Sequence, residues 1–261
     1  MVNKKRLRRY LDKELTGMKN NLNDMTLQVD AEKLHALRLN AKKVKAVLGF
    51  LKESLHNKNK YAIKELQELF HTAGDIRTAQ LNLKTLEDHE IKIEPFETDQ
   101  KEVMEEKSKV IADKNKKFNK NISSIKKKIG QNLTSIKNNS VIAFYYDNIK
   151  ILSNNFKVID EVDLHDSRKI IKKLLYNLKI LPPSLTKKIN INRDYLDDLQ
   201  ELIGKWHDTF VTLELLSKTG SVDGDHFSFL INKKEERLKK IVQGTRDFDS
   251  NVMFAKPISG R

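Results

Sequence analysis

The chain contains no cysteine and is poor in glycine, proline and aromatic residues. The absence of cysteine excludes a disulfide-stapled scaffold, a thiolate metal site and a cysteine nucleophile. Nine glycines and four prolines in 261 residues are less than half of the roughly 12% that is usual in proteins. Since few residues can break a helix or form a tight turn, the sequence predicts long helices joined by few connections.

Long apolar segments are also missing. No run of residues approaches the length of about 18 that a transmembrane helix requires. The N-terminus, MVNKKRLRRYLDKEL, is basic but lacks the apolar stretch of a signal peptide. We therefore expect a cytoplasmic protein that does not insert into membranes.

Positive charge is in clear excess. Fifty Lys and Arg residues against 36 Asp and Glu residues give a formal net charge of +14, and the sequence pI is near 9.6. Such an excess favours a polyanionic partner: nucleic acid, an anionic membrane surface or a polyphosphate. Hydrophobic residues still make up 38% of the chain, which is enough to bury a core.

The sequence repeats itself after 130 residues. Residues 34–38 (LHALR) align without a gap on residues 164–168 (LHDSR). The same offset pairs Leu66 with Leu196, Leu69 with Leu199, Gly74 with Gly204, Leu83 with Leu213 and Leu86 with Leu216. A constant offset through two separate segments indicates a duplicated unit. We therefore interpret residues 1–261 as a single domain built of two repeats, 1–130 and 131–261.

Each repeat shows about four helical patterns, in which apolar residues recur every three or four positions. One such stripe comprises Leu34, Leu37, Ala41, Val44, Leu48 and Leu51. The predicted helices lie near 4–25, 31–57, 60–89, 97–129, 134–154, 159–181, 190–218 and 224–246. The predicted fold is all-α: two antiparallel four-helix bundles related by internal pseudo-two-fold symmetry.

The second helix of each repeat carries cations beside its apolar stripe. His35, Arg38, Lys42 and Lys45 recur at helical spacing, so they share one face. The second repeat has His165, Arg168 and Lys172, extended by Lys169 and Lys173, while Leu175 replaces the cation of Lys45. A lysine-rich face is often merely solvated, and a histidine beside an apolar stripe is often a packed core residue. A row of cations is also suited to a chain of phosphates, because arginine can contact two phosphate oxygens and lysine acts as a mobile point charge.

These residues resemble the signature helix of CHAD domains, the conserved-histidine α-helical domains. The resemblance rests on His35, Arg38, Lys42, Lys43 and Lys45, and on His165, Arg168, Lys172 and Lys173. A later element of the family, Leu-Gly-x-x-Arg-Asp, is similar to residues 73–77 (AGDIR) and 204–208 (GKWHD). The resemblance covers nearly the whole chain.

The resemblance implies a non-catalytic protein that binds inorganic polyphosphate in a basic groove, without a cofactor. It assigns to that groove the nine residues of the two signature helices, together with Arg77 and His207. It also implies a location in the cytoplasm, in association with polyphosphate granules. A chain of 261 residues leaves no room for the triphosphatase domain to which some CHAD domains are fused. Thr78 stands where the family has an aspartate, and together with Leu175 it departs from the family pattern.

Other functions fit the sequence less well. Glu32-x-x-His35 and Glu68-x-x-His71 match the pattern of di-iron carboxylate bundles, but cations share the face of His35, and Val162 replaces the glutamate in the second repeat. No Gly-x-Ser-x-Gly elbow or Gly-rich phosphate loop is present, and the pair His207-Asp208 is better explained by an ion pair or cap at a helix end. Nucleic acid and an acidic protein remain the alternative partners, although single-stranded nucleic acid usually requires exposed aromatic residues for stacking.

Overall fold

The computed structural model describes residues 1–25, 30–55, 64–219 and 224–253. Within these ranges the chain forms eleven α-helices and one 3-10 turn (Lys64–Leu66), without a strand. The helices are α1 (Lys4–Asp24), α2 (Ala31–Ser54), α3 (Gln67–Glu87), α4 (Glu94–Asp113), α5 (Asn115–Asn132), α6 (Asn138–Asn155), α7 (Glu161–Leu178), α8 (Pro183–Ile189), α9 (Arg193–Thr219), α10 (Gly224–Thr245) and α11 (Phe248–Asn251). The all-α prediction is confirmed for the described residues. None of the described helices is long and apolar enough to cross a membrane.

Helix boundaries differ from the predicted ones at three places. The predicted helix 97–129 is two helices, because the backbone at Lys114 leaves helical geometry (φ −97°, ψ 9°). The two parts have different neighbours, since α4 packs against α3 and α5 packs against α1. Pro182 and Pro183 end the sixth predicted helix, and Pro183 also starts the short α8, which ends at Asn190 in the left-handed conformation (φ 57°). The predicted boundaries near 57 and 60 and the tail after Met253 lie outside the described residues.

The apolar stripe of α2 is buried as predicted, with all six of its residues no more than 3% exposed. It belongs to a hydrophobic core that includes residues of both repeats. A second, smaller core also joins them: it comprises Leu86, Ile91, Ile93, Phe96, Leu213, Leu216 and Leu230. Two contacts connect the repeats near the signature helices, because α2 packs against α7 and α3 packs against α9. The apolar interiors of the two repeats are therefore continuous.

Corresponding aspartates start the two signature helices. Asp30 caps α2 and accepts hydrogen bonds from the backbone N–H groups of Glu32 and Lys33. Asp160, 130 residues later, caps α7 and accepts from those of Val162 and Asp163. Since each cap fixes the first turn, His35 and His165 lie at the same distance from the start of their helices.

Candidate functional site

Two arginines hold the signature helices against the helices that follow them. Arg38 Nη1 on α2 donates to the carbonyl oxygen of Phe70 on α3, at 3.4 Å. Arg168 Nε on α7 donates to the carbonyl oxygen of Gln200 on α9, at 3.2 Å. Both donor–acceptor pairs are 32 residues apart, and each member of one pair is 130 residues from its counterpart in the other. The two repeats therefore make the same contact with equivalent residues.

Two glycines leave the room that these arginines occupy. A Cβ atom at Gly74 would lie 3.0 Å from Arg38 Nη1. A Cβ atom at Gly204 would lie 2.6 Å from Arg168 Nη2, which is closer than atoms approach without displacement. The glycines that the sequence alignment had paired thus allow each guanidinium group to lie directly against the backbone of its neighbouring helix.

Cations of both repeats meet beside these arginines, and Lys42 lies among them. Burial lowers the pKa of Lys42 to about 8, and repulsion from Arg38, Lys172 and Arg168 lowers it further. The side chain nevertheless reaches solvent, so it lies at a concave surface, partly surrounded by protein. Burial followed by repulsion from Arg168 also lowers the pKa of Lys172. Because α2 and α7 are in contact, the cations of the two signature helices lie close enough to repel one another.

The first repeat adds Arg77 and His35 to this cluster. Burial lowers the pKa of Arg38, and repulsion from Arg77 is the next cause. Burial also lowers the pKa of His35, followed by repulsion from Arg77 and Lys42. His35 is therefore held in its neutral form by the cations around it. We call the cluster of His35, Arg38, Lys42, Arg77, His165, Arg168, Lys172 and His207 the basic groove.

Two histidines replace the His35–Arg77 pair in the second repeat. The rings of His165 and His207 lie with their centroids 4.4 Å apart, at an angle of 39°. Burial lowers the pKa of His165 to about 4, with repulsion from His207 as the second cause. Burial and then Arg168 lower the pKa of His207. His165 Nδ1 is buried without a hydrogen-bond partner in the described part of the chain, so this atom is available to an added donor or acceptor.

A carboxylate that the sequence analysis placed elsewhere also borders the groove. Asp208 lies in the middle of α9, so the expected role at a helix end is wrong. Burial raises the pKa of Asp208, whereas the positive charges of Arg168, Arg77 and Lys42 oppose this rise. Asp208 supplies a single negative charge at the position where the first repeat has Thr78. Only the packing of α9 on the signature helices reveals this position.

Arg237 on α10 is a further cation that the sequence analysis did not identify. Its Nη1 donates to the carbonyl oxygen of Lys205 at 2.8 Å and also to the hydroxyl group of Thr209. The charge of Arg237 lies close enough to Asp208 to affect its pKa. No repeat motif marks Arg237, because α10 brings it to α9 through tertiary packing.

Three predicted groove residues lie in other surroundings. Lys43 forms an ion pair of 3.2 Å with Glu14 on α1, a carboxylate that is nearly buried. Lys173 forms one of 3.0 Å with Glu53 and lies over the ring of Phe144 at 5.2 Å. Lys45 is exposed on α2, one turn beyond Lys42. The ammonium groups of Lys43 and Lys173 are thus already neutralised by carboxylates outside the cluster.

The di-iron pattern does not form a site. Glu68 accepts from Lys114 Nζ at 2.6 Å and from Lys117 Nζ at 2.7 Å, which explains why its pKa is lowered to about 2. Among the described residues, no three His, Asp or Glu side chains converge as a metal site would require. Leu175, which replaces a cation in the second repeat, is buried in the core.

Comparison with known proteins identifies the fold. The family model of the CHAD domain matches residues 142–217, which include His165, Arg168, Lys172 and His207. The crystal structure of the CHAD domain from the plant Ricinus communis has a similar fold, with a TM-score of 0.68 and 15% sequence identity. The similarity covers 95% of this chain and 89% of that one. No curated protein matches the chain. The chain therefore contains a CHAD domain, recognised in its sequence over residues 142–217 and in its fold over nearly the whole chain.

Proposed function

We propose that this CHAD domain binds inorganic polyphosphate in the basic groove and does not transform it. One observation carries the proposal. Cations from both signature helices, Arg38 and Lys42 on α2 and Arg168 and Lys172 on α7, are partly buried together and repel one another. A bound polyanion would neutralise this charge and remove the repulsion.

The chemistry of the groove matches a chain of phosphates. Arginine offers a fork of donors to phosphate oxygens, and lysine adds a mobile charge. Half-buried cations interact more strongly with an anion than exposed ones, because water screens them less. The groove residues include no Phe, Tyr or Trp on which nucleobases would stack. The composition therefore favours a polyphosphate over single-stranded nucleic acid.

We further propose that the two repeats are related by a pseudo-two-fold axis and together form two four-helix bundles. Three equivalences at the offset of 130 residues support the axis. Asp30 and Asp160 cap the signature helices in the same way. Arg38 and Arg168 contact equivalent carbonyl groups. Such an arrangement would let one phosphate chain cross the groove and contact both signature helices.

The groove proposal omits Lys43 and Lys173, because each has a carboxylate partner. It retains both central lysines, which provide the sharper test. Arg38 and Arg168 also hold helices together, so replacing them would mix effects on stability with effects on binding. Lys42 and Lys172 have no ion pair within 4.0 Å among those found in the described residues.

The test is the affinity of the Lys42→Gln/Lys172→Gln variant for long-chain polyphosphate at physiological salt. We expect a loss of at least tenfold, since two partly desolvated contacts disappear. Affinity of the parent should fall linearly with salt in a double-logarithmic plot, and the variant should show a slope smaller by roughly two contacts.

The matched control is Lys116→Gln/Lys120→Gln, which removes the same charge from exposed positions of α5. We expect it to change affinity by less than about threefold. If control and groove variants weaken binding equally, the surface acts as a generic cation and the assignment to the groove is wrong. Equal competition by single-stranded DNA of matched charge would contradict the choice of polyphosphate.

A further inference from the structure

Lys42 differs from the other lysines of the groove in its surroundings. Its ammonium group is near three cations, Arg38, Lys172 and Arg168, and Asp208 is the one acidic group that opposes them. Lys172 lies near three carboxylates, those of Asp197, Asp208 and Glu201. These carboxylates favour the charged form of Lys172. Lys42 is therefore the groove amine with the least support for its proton.

Lys42 is also accessible from solvent. Its side chain is exposed, and no ion pair within 4.0 Å involves it in the described part of the chain, whereas neighbouring Lys43 is paired with Glu14. The guanidinium groups of Arg38 and Arg168 lie close enough to affect it and are fixed by their bonds to backbone carbonyl groups. An anionic reagent drawn to these guanidinium groups would arrive next to the amine of Lys42.

We propose that Lys42 is a modification site that is acylated by small acyl phosphates, whose phosphate group is held by Arg38 and Arg168. The proposal rests on the proposed function to the extent that the groove must attract phosphates. The neutral amine attacks the acyl carbon and a C–N bond forms. The C–O bond to phosphate breaks, phosphate leaves with the electron pair, and the proton of the amine passes to water. The product is an uncharged amide and free phosphate.

Protonation supports the same assignment. With a pKa of about 8, roughly a fifth of Lys42 is neutral at pH 7.4, against about one in a thousand for a lysine with the reference pKa near 10.4. A docked phosphate partly restores the proton, because it offsets the repulsion from the cations. The expected advantage of Lys42 is thus smaller than this ratio, and we place it at tenfold or more.

Acylation would also regulate the groove. It removes a positive charge from the centre of the cluster and relieves repulsion among the remaining cations. Polyphosphate affinity should therefore fall on acylation, and bound polyphosphate should protect Lys42. A modified protein would release or exclude its polyanion without any change of fold.

The experiment uses the full chain with acetyl phosphate at pH 7.4, and mass spectrometry follows each lysine over time. Lys45 is the internal reference, because it is exposed on the same helix one turn away. A parallel reaction uses p-nitrophenyl acetate, an uncharged donor. We expect Lys42 to react at least tenfold faster than Lys45 with acetyl phosphate, by a smaller ratio with the uncharged donor, and slowly when polyphosphate is present.

Two results would overturn the inference. If Lys42 reacts no faster than Lys45 with acetyl phosphate, the site is not selective. If the ratio is the same for both donors, the phosphate group is not held by the arginines. Failure of the proposed function would be seen separately, as absent binding of long-chain polyphosphate to unmodified protein while acetyl phosphate still selects Lys42. The Lys42→Arg variant, which keeps the charge, should bind polyphosphate but lose the selective site.

Discussion

Thr212 donates a hydrogen bond of 3.1 Å to Asn82 Oδ1, and the two residues are 130 positions apart. Each residue thus touches the position that corresponds to it in the other repeat. Asn82 is buried and also donates to Gln100 Oε1 at 2.8 Å. The bond lies where α3 packs against α9, which is one of the two contacts that join the repeats.

Replacing Asn82 by alanine should destabilise the protein by about 1–3 kcal/mol. The change leaves Thr212 and Gln100 as buried polar groups without this partner, and an unmade buried hydrogen bond costs that much. Urea unfolding followed by circular dichroism would measure the effect. Asn232→Ala, at an exposed position of α10, is the control and should change stability by less than about 0.5 kcal/mol. Equal stability of the two variants would show that the contact between α3 and α9 does not depend on this network.

Gly204→Ala should weaken polyphosphate binding more than it affects stability. The new methyl group would lie 2.6 Å from Arg168 Nη2, so the flexible guanidinium group must move away from Gln200. Alanine also favours the helix by up to about 1 kcal/mol relative to glycine, which offsets the lost hydrogen bond. We expect severalfold weaker binding, measured by calorimetry, with a melting temperature within a few degrees of the parent.

Gly130→Ala is the matched control for this prediction. A Cβ atom there would meet nothing within 4 Å, so binding should not change. Unchanged polyphosphate affinity in Gly204→Ala would mean that the position of the Arg168 guanidinium group is not important for the ligand.

Neighbouring residues Lys42 and Lys43 should show opposite effects when each is replaced by glutamine. Lys43→Gln removes the partner of the nearly buried Glu14, so we expect a loss of stability of about 1–3 kcal/mol and little change in binding. Lys42→Gln removes mutual repulsion, so stability should stay equal or rise while binding weakens. Unfolding and binding measured on both variants would check the crossed pattern. The same profile for both variants would contradict the separation of their roles.

Polyphosphate affinity should increase as the pH falls from 7.5 to 5.5. In the free protein burial, His207, Lys169 and Arg168 lower the pKa of His165, while Asp166 opposes them. The pKa of His207 is lowered as well. A bound polyanion stabilises the charged imidazolium forms and raises both pKa values, so binding takes up protons. Calorimetry in buffers of different ionisation enthalpy would count them, and His165→Asn/His207→Asn should reduce the uptake. A pH-independent affinity in the parent would contradict this coupling.

The free protein should show the reverse trend in stability. The folded-state pKa of His165, about 4, lies below the reference value of 6.5. The unfolded chain therefore binds more protons as the pH falls through 6.5 towards 4, and folding loses stability over that interval. Chemical unfolding at pH 7.5, 6 and 5 would measure the loss, which should be smaller in His165→Asn. Equal pH dependence in the variant and the parent would remove His165 as the cause.

The sequence by itself determined the helical class, the offset of 130 residues and the faces that carry the cations. These follow from local rules: helical periodicity, the scarcity of breakers and the spacing of charged residues along one turn. The same rules paired Gly74 with Gly204 and Arg38 with Arg168 before any contact was known. They could not divide 97–129 into α4 and α5, because the break at Lys114 depends on which helix each part packs against.

Only the tertiary structure decided which cations share the groove. Lys42 and Lys43 are adjacent in the sequence, yet one lies among Arg38, Lys172 and Arg168, and the other is neutralised by Glu14. Asp208 and Arg237 join the same region from α9 and α10 without any repeated motif. Charge interactions act through space and depend on burial, whereas a sequence pattern gives only positions along one helix. The environment of each charge therefore became known only when the helices were packed.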